Sequence, residues 1–366
     1  MSMQVSYKKQ ILFFLLILTI GWGSIEIITN VVVKSYVLDG CANRLFDSQV
    51  HSELSKNELI ELCRDYYDTN VFISPERSEI IQFPSQFSNS VNINSVGLRG
   101  NEISIEKEQG ITRILMLGGS TTFGWYATND DSTIPALLEK KLNQNEIKYE
   151  VINAGHLNAG SLFETKLLKE MLIYEPNIIV VYDGYNDMVS PVFKNISSEE
   201  MDLRIFIKKL DSYTYSLRAI EKLIHEIETK SKNTVGELNS VTEGFTKEDY
   251  ETRAELWAER WMEICRDYKS EDLKIYVFLQ PFVGTGDRIL TEYESKIFHF
   301  NAMKDAENYY LFKEQLEKIN FECTRSIDLS SSFDEIETAL FTDLVHVGDE
   351  GNKLIAEKIY QNIKEN

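Results

Sequence analysis

The chain of 366 residues is poor in several things, and each shortage removes a class of function. It has four cysteines, Cys41, Cys63, Cys265 and Cys323, and no two form a Cys-x-x-Cys pair. A zinc ribbon or a thioredoxin-type redox site therefore has no support. Basic residues are outnumbered: 38 Lys and Arg against 58 Asp and Glu give a formal charge of −20, with a pI near 4.8. That is the wrong sign for neutralising phosphates, so no nucleic acid is expected as partner. It is equally unsuited to docking on an anionic membrane surface. Nothing has metal-ligand spacing, so neither a metal nor a cofactor is expected. No Gly-x-Gly-x-x-Gly follows a strand. Gly119-x4-Gly124 is half a P-loop, but Trp125 and Tyr126 stand where Lys and Ser/Thr are required. Internal repeats and low-complexity tracts are absent as well.

What the chain does have begins at its N-terminus. Lys8 and Lys9 precede an uncharged run over 11–25, and apolar character continues past Glu26 and Asn30 to Val33. That is enough for a bilayer-spanning helix of about 20 residues. A cleaved signal peptide is the alternative. No small-x-small cleavage site follows, so an uncleaved single-pass anchor is expected, with a secreted, cleaved form as the second reading. The paired lysines place the N-terminus in the cytoplasm and the remainder outside the cell membrane. Such a location permits disulfides, Cys41–Cys63 being the favoured pair; buried free thiols are an equal expectation, because a chain this long needs no staples.

The rest divides into an N-terminal extension, 35–110, packing on a core, and a main domain, 111–366. In the extension, Ser55-Lys-Asn-Glu58 has capping-box spacing before a helix at 59–66. Ile80, Phe83 and Phe87 suggest extended chain lying on the core, and 94–100 reads as a turn whose Arg99 makes a surface ion pair or faces the site. From Arg113 strands and helices alternate. Strands are expected at 114–117, 149–152, 177–182, 274–279 and 326–329. Helices are expected from a Ser132 cap to 142, then over 162–174, 248–268 and 350–364. This pattern means an α/β fold, a five-stranded parallel sheet covered on both faces. An insertion, 188–246, has helical periodicity in its middle, 203–232.

Chemistry gathers at the strand ends. The apolar run 114–117 stops at Gly118-Gly119-Ser120, where a sheet edge exposes a hydroxyl. Alone, strand-Gly-Gly-Ser is equally a turn without chemistry. The second strand ends in Asn153-Ala-Gly155, whose backbone N–H has room to approach an oxyanion. The third ends in Asp183-Gly-Tyr-Asn186-Asp187, and the Asn186 amide is a further donor. Asp343-Leu-Val-His346 places carboxylate and imidazole on one side of a helical turn at the start of the last helix. His346 can take the Ser120 proton while Asp343 orients the ring. Trp125, Tyr126 and His156 are candidate substrate-binding residues. Asp183 and Asp187 read as turn or cap residues, and His51, His225 and His299 have no evident partner.

These four blocks, Gly-Gly-Ser120-Thr-Thr, Asn-Ala-Gly155, Gly-Tyr-Asn186-Asp and Asp-Leu-Val-His346, resemble those of the SGNH (GDSL-like) hydrolases, over about two thirds of the chain. The resemblance implies a flavodoxin-like three-layer α/β/α sandwich. It also implies cleavage of an ester through an acyl-enzyme, with Ser120, Asp343 and His346 catalytic and Ser120, Gly155 and Asn186 forming the oxyanion hole. The first block departs from Gly-Asp-Ser in having Gly119, which bears on substrate class; Gly-Gly-Ser versions look like membrane-anchored members. The expected function is thus an extracytoplasmic, membrane-anchored serine esterase acting on acyl or acetyl esters of glycans or lipids. An O-acyltransferase would use the same residues, and an inactive envelope scaffold is the remaining alternative.

Overall fold

Side chains that alternate between two faces, both of them apolar, set the centre of this protein. The computed structural model describes residues 6–69, 71–73, 80–144, 147–189, 242, 244–269, 273–298 and 300–364. Five parallel strands form one sheet: β1 (Ile111–Gly118), β2 (Lys148–Gly155), β3 (Ile178–Asp183), β4 (Lys274–Leu279) and β5 (Arg325–Asp328). Their spatial order is β2-β1-β3-β4-β5. Leu115, Leu117, Ile179, Val181, Ile275 and Val277 point to one face and Ile114, Met116, Val180, Tyr182, Tyr276 and Phe278 to the other. Such two-sided runs are what a parallel sheet with helices on both sides requires.

Helices α5 (Ser161–Met171), α7 (Lys247–Asp267) and α9 (Phe300–Glu322) cover the first face. Helices α4 (Ile134–Leu142) and α10 (Asp349–Lys364) cover the second. The result is a three-layer α/β/α sandwich with flavodoxin-like strand order. Its switch point lies between β1 and β3, and ligands in open α/β sheets bind outside the carboxyl ends of the strands there.

The 111–366 expectations were close, with instructive differences. Thr133, not Ser132, caps α4, its hydroxyl accepting from Ala136 N, while Ser132 closes a 3-10 turn over Asp130–Ser132. Helix α9 was not read in the sequence: its buried stripe of Ala302, Tyr309, Phe312, Leu316 and Ile319 is blurred by outward-facing Met303, Tyr310 and Phe321. Cys265 on α7 and Cys323, just beyond α9, form a disulfide, and among the described residues no cysteine is free. Buried free thiols are thus overturned, and the bridge joining the two helices had not been foreseen. The insertion's helical middle, 203–232, and His225 and His299 lie outside the described residues.

Helix α1 (Tyr7–Ser48) runs unbroken through the apolar N-terminal stretch. Its most apolar 18-residue window has a mean hydropathy of 2.3 and buries none of its side chains, so it is long and apolar enough to cross a membrane. The unit that holds the sheet comprises Ala42–Asn195 and Asn239–Asn366; the residues of α1 before Ala42 belong to another unit. In the extension, α2 (Lys56–Asp68) starts at the Ser55–Glu58 capping box and buries Leu59, Leu62 and Tyr66. Two short antiparallel pairs follow, Val71–Ile73 with Ile80–Gln82 and Gln86–Phe87 with Asn92–Ile93. Phe83 and Phe87 face outward, at 46% and 74% exposure, contrary to expectation; Val91, Ile93 and Leu98 carry the packing.

Candidate active site

Strand β1 ends at Gly118, and the chain turns at Gly119 into a single helical turn, α3 (Ser120–Phe123). A Cβ at position 119 would lie 2.4 Å from Asn186 Nδ2 and 3.2 Å from the Ala159 carbonyl oxygen, so a side chain there requires the Asn186 amide to shift. The aspartate of the commoner Gly-Asp-Ser block would displace that amide. Gly155, paired with Gly118 across the β1–β2 ladder, is equally constrained: a Cβ on it would meet Phe123 N at 2.1 Å. Its absence lets the turn that carries Ser120 lie directly on β2.

The turn is held from behind by Arg99. Its side chain is fully buried, donating from Nε to Asp130 Oδ1 at 2.7 Å, from Nη1 to Gly124 O at 2.7 Å and Phe123 O at 3.2 Å, and from Nη2 to Ser90 O at 2.6 Å. The Tyr66 hydroxyl lies 2.7 Å from both Gly124 O and Ala127 O. Carbonyls at the end of a helix lack intrahelical partners, and here a buried guanidinium and a phenol supply them. The surface ion pair expected of Arg99 is therefore wrong; it is an interior clamp on the turn that carries Ser120.

His346 Nε2 lies 2.7 Å from Ser120 Oγ, and its Nδ1 lies 2.9 Å from each Asp343 oxygen. The segment 343–346 is a bend rather than the first turn of α10, which starts only at Asp349. Asp343 shapes that bend itself, Oδ1 accepting from Val345 N at 3.1 Å and His346 N at 2.9 Å. Thr342 N donates back to His346 O at 2.8 Å, while Val283 N, in the loop after β4, and the Tyr293 hydroxyl, in the short helix α8 (Glu292–Ile297), donate to Leu344 O and Thr342 O. Burial works to raise the Asp343 pKa, but the facing imidazole and the N–H donors hold it near 2, so the group is an anion at any working pH. A carboxylate bridging to Nδ1 leaves Nε2 as the acceptor for the serine proton.

Potential oxyanion donors surround this pair. The Ser120 N–H carries no hydrogen bond among the described residues. Asn186, in α6 (Tyr185–Val189) at the end of β3, has its amide beside Gly119 and donates to Ala159 O at 2.6 Å. Gly155 does not serve in the expected way, because its N–H is engaged by Asn153 Oδ1 at 3.0 Å. Gly160, the N-cap of α5, has the uncommitted N–H instead. The signal that could have found it is a second Ala-Gly, five residues after the first and directly before a helix.

The remaining candidates fall differently. Trp125 is half-buried, its ring 6.5 Å from that of His346. Tyr126 is buried edge-on against His346 at 5.9 Å, with Arg44 over its other side. His156 is interior: its Nδ1 sits 3.2 Å from Ala154 O, its ring packs on Phe163, and burial lowers its pKa to about 4. It does not line a substrate site. His51 is also buried, and burial lowers its pKa.

Asp187 and Asp183 prove more than turn residues. Asp187 is buried and accepts from Ser161 N at 2.8 Å and Ser161 Oγ at 2.5 Å, with Arg260 at 3.3 Å. Asp183 accepts from the indoles of Trp257 and Trp261 at 2.9 and 3.0 Å. Burial, and then neighbouring carboxylate charge, push Glu164 and Asp183 well above the usual carboxylate range. Among the described residues no cluster could hold a metal ion.

No protein-family model and no curated protein matches the sequence. Solved structures with which it aligns include the acetyl xylan esterase AlAXEase, at 13% identity and a TM-score of 0.39, covering 69% of this chain and 99% of that one. A putative lipolytic protein of the G-D-S-L family from Desulfitobacterium hafniense DCB-2 aligns at 12% and 0.38, covering 68% and 98%. A catalytic mutant of Axe2, an acetylxylan esterase from Geobacillus stearothermophilus, aligns at 13% and 0.41, covering 69% and 94%. At such identities a likeness speaks of fold alone, and TM-scores this low carry no argument; the strand order and the Ser120–His346–Asp343 geometry stand without them.

Proposed function

We propose that this protein is a serine esterase of the SGNH type, anchored by α1 in a membrane with its α/β domain on the extracytoplasmic side. The observation that carries the reading is the 2.7 Å contact between His346 Nε2 and Ser120 Oγ, at the switch point of the sheet and backed by Asp343. In the first step Ser120 Oγ bonds to the ester carbonyl carbon while its proton passes to His346 Nε2. The negative oxygen that forms is stabilised by the Ser120 N–H, the Asn186 amide and the Gly160 N–H, donors of a kind worth about 3–4 kcal/mol each. The tetrahedral centre then expels the alcohol, which takes the proton from His346. Water repeats the sequence on the acyl-enzyme, releasing the acid and free Ser120.

The extracytoplasmic side is supported by the Cys265–Cys323 disulfide, since such bonds persist in oxidising compartments. Acyl or acetyl esters on glycans or lipids follow as the substrate class from that location. The test uses the detergent-solubilised full chain with 4-nitrophenyl esters of increasing acyl length and a fluorophosphonate probe, with Ser120→Ala as control. Hydrolysis and labelling, both lost in the variant, are expected. Labelling without hydrolysis, together with faster acetyl transfer to an added oligosaccharide than to water, would make it a transferase. The absence of both labelling and turnover would refute the proposal.

A further inference from the structure

The peptide between Ala159 and Gly160 lies beside Gly119, the residue before Ser120. Its carbonyl oxygen accepts from Asn186 Nδ2 at 2.6 Å, and both atoms border the space that a Cβ on Gly119 would fill. A trans peptide points its C=O and N–H in opposite directions, and no peptide bond here is cis. With the Ala159 oxygen turned toward Asn186, the Gly160 N–H is turned away from it. One of the two Asn186 N–H donors is therefore engaged by a backbone carbonyl, and the Gly160 N–H is turned away from that amide.

The flanking groups are fixed while this one plane is not. On one side, Ser161 N–H and O–H are both held by the buried Asp187 carboxylate. On the other, Ala159 N–H donates to His156 O at 3.2 Å. Between them the Ala159–Gly160 plane has a single bond, the one to Asn186; its N–H has none among the described residues.

We infer that this peptide flips when an ester carbonyl enters, and that the flip completes the oxyanion hole. Half a turn about the axis joining the two Cα atoms withdraws the Ala159 oxygen from Asn186 and brings the Gly160 N–H round in its place. The exchange replaces one acceptor on one Asn186 N–H by another and leaves its second N–H as it was. No covalent bond changes. The flip carries φ of Gly160 from −125° into the left-handed region, which glycine enters freely and a residue with a Cβ does not. Resting protein thus holds Asn186 in position with a surrogate acceptor, and the hole is formed by its own ligand.

The inference rests on the esterase reading, and the test separates the two. The full chain in detergent is treated with diethyl 4-nitrophenyl phosphate. Bonding of phosphorus to Ser120 Oγ releases 4-nitrophenolate and leaves a phosphoryl oxygen at the oxyanion position. Mass spectrometry locates the adduct, and a crystal structure of it shows the peptide plane. The expected result is an Ala159 oxygen turned away from Asn186, with Gly160 N about 3 Å from the phosphoryl oxygen. An adduct on Ser120 with the Ala159 oxygen still on Asn186 overturns the flip and spares the esterase. Failure of Ser120 to react overturns both.

Discussion

Replacing Arg99 by methionine tests whether a buried cation underpins the nucleophile turn. Methionine keeps most of the volume and removes the fork. Lost with it are donors to the Gly124, Phe123 and Ser90 carbonyls and to Asp130 Oδ1, of which Gly124 O keeps the Tyr66 hydroxyl and Asp130 Oδ1 keeps Asn92 N at 3.3 Å. Asp130 retains the Asn92 amide, donating to its Oδ2 at 2.6 Å, so it is not wholly stranded. Breaking a buried ion pair by removing one partner costs about 3–5 kcal/mol, and each bared carbonyl adds to that unless water reaches it. Against a total stability of about 5–15 kcal/mol, this is a large fraction. For a unit of this size it corresponds to a fall in Tm of about 6–10 °C. Because two of the lost contacts, to Phe123 O and Gly124 O, lie within five residues of Ser120, kcat should fall in the folded variant even well below its Tm, with KM little changed. Differential scanning calorimetry and aryl-ester kinetics at low temperature provide the two measurements. Arg99→Lys, which restores charge but not the planar fork, should recover stability in part and kcat less. A variant Arg99→Met that melts within about 2 °C of the parent, with its kcat intact, would refute the clamp.

Two further outcomes follow from the same structure. Asp343 has a folded pKa near 2, below its unfolded value, so its contribution to stability is present in full above about pH 4 and is lost as pH falls through about 2. Urea denaturation from pH 6 to pH 2 should show that loss, on the order of 2 kcal/mol, and Asp343→Asn should abolish it while removing most activity. The Cys265–Cys323 bond closes a loop of 58 residues and constrains the unfolded chain, a contribution of about 4 kcal/mol in the loop-entropy account. The double variant Cys265→Ser/Cys323→Ser should therefore melt lower by calorimetry with unchanged kcat, since neither sulphur touches the site; equal melting temperatures would contradict it.

The alternation of buried strands with amphipathic helices was legible because parallel strands buried on both faces leave runs such as 114–117 that few other structures produce. Helix α9 escaped because apolar residues on its outer face, Phe321 at 78% exposure among them, obscure the buried stripe. At the site, the residues brought together through side chains, Ser120, His346 and Asp343, stood out in the sequence by type and order. Backbone groups did not. Whether the N–H of Gly155 or of Gly160 is free depends on where Asn153 Oδ1 reaches, and sequence spacing carries no such information. Arg99 shows the same limit from another side, for a buried arginine and a solvated one read alike until the carbonyls around it are known.

The contact between Ser120 and His346 joins positions 226 residues apart. The hydroxyl is made early in synthesis, on the first strand of the sheet, and the imidazole arrives only with the loop that precedes the final helix. For most of the time the polypeptide is being produced, Ser120 is an ordinary alcohol with no base beside it. The pairing is thereby deferred until the chain is nearly whole, and a product cut short before His346 would carry a serine without its imidazole.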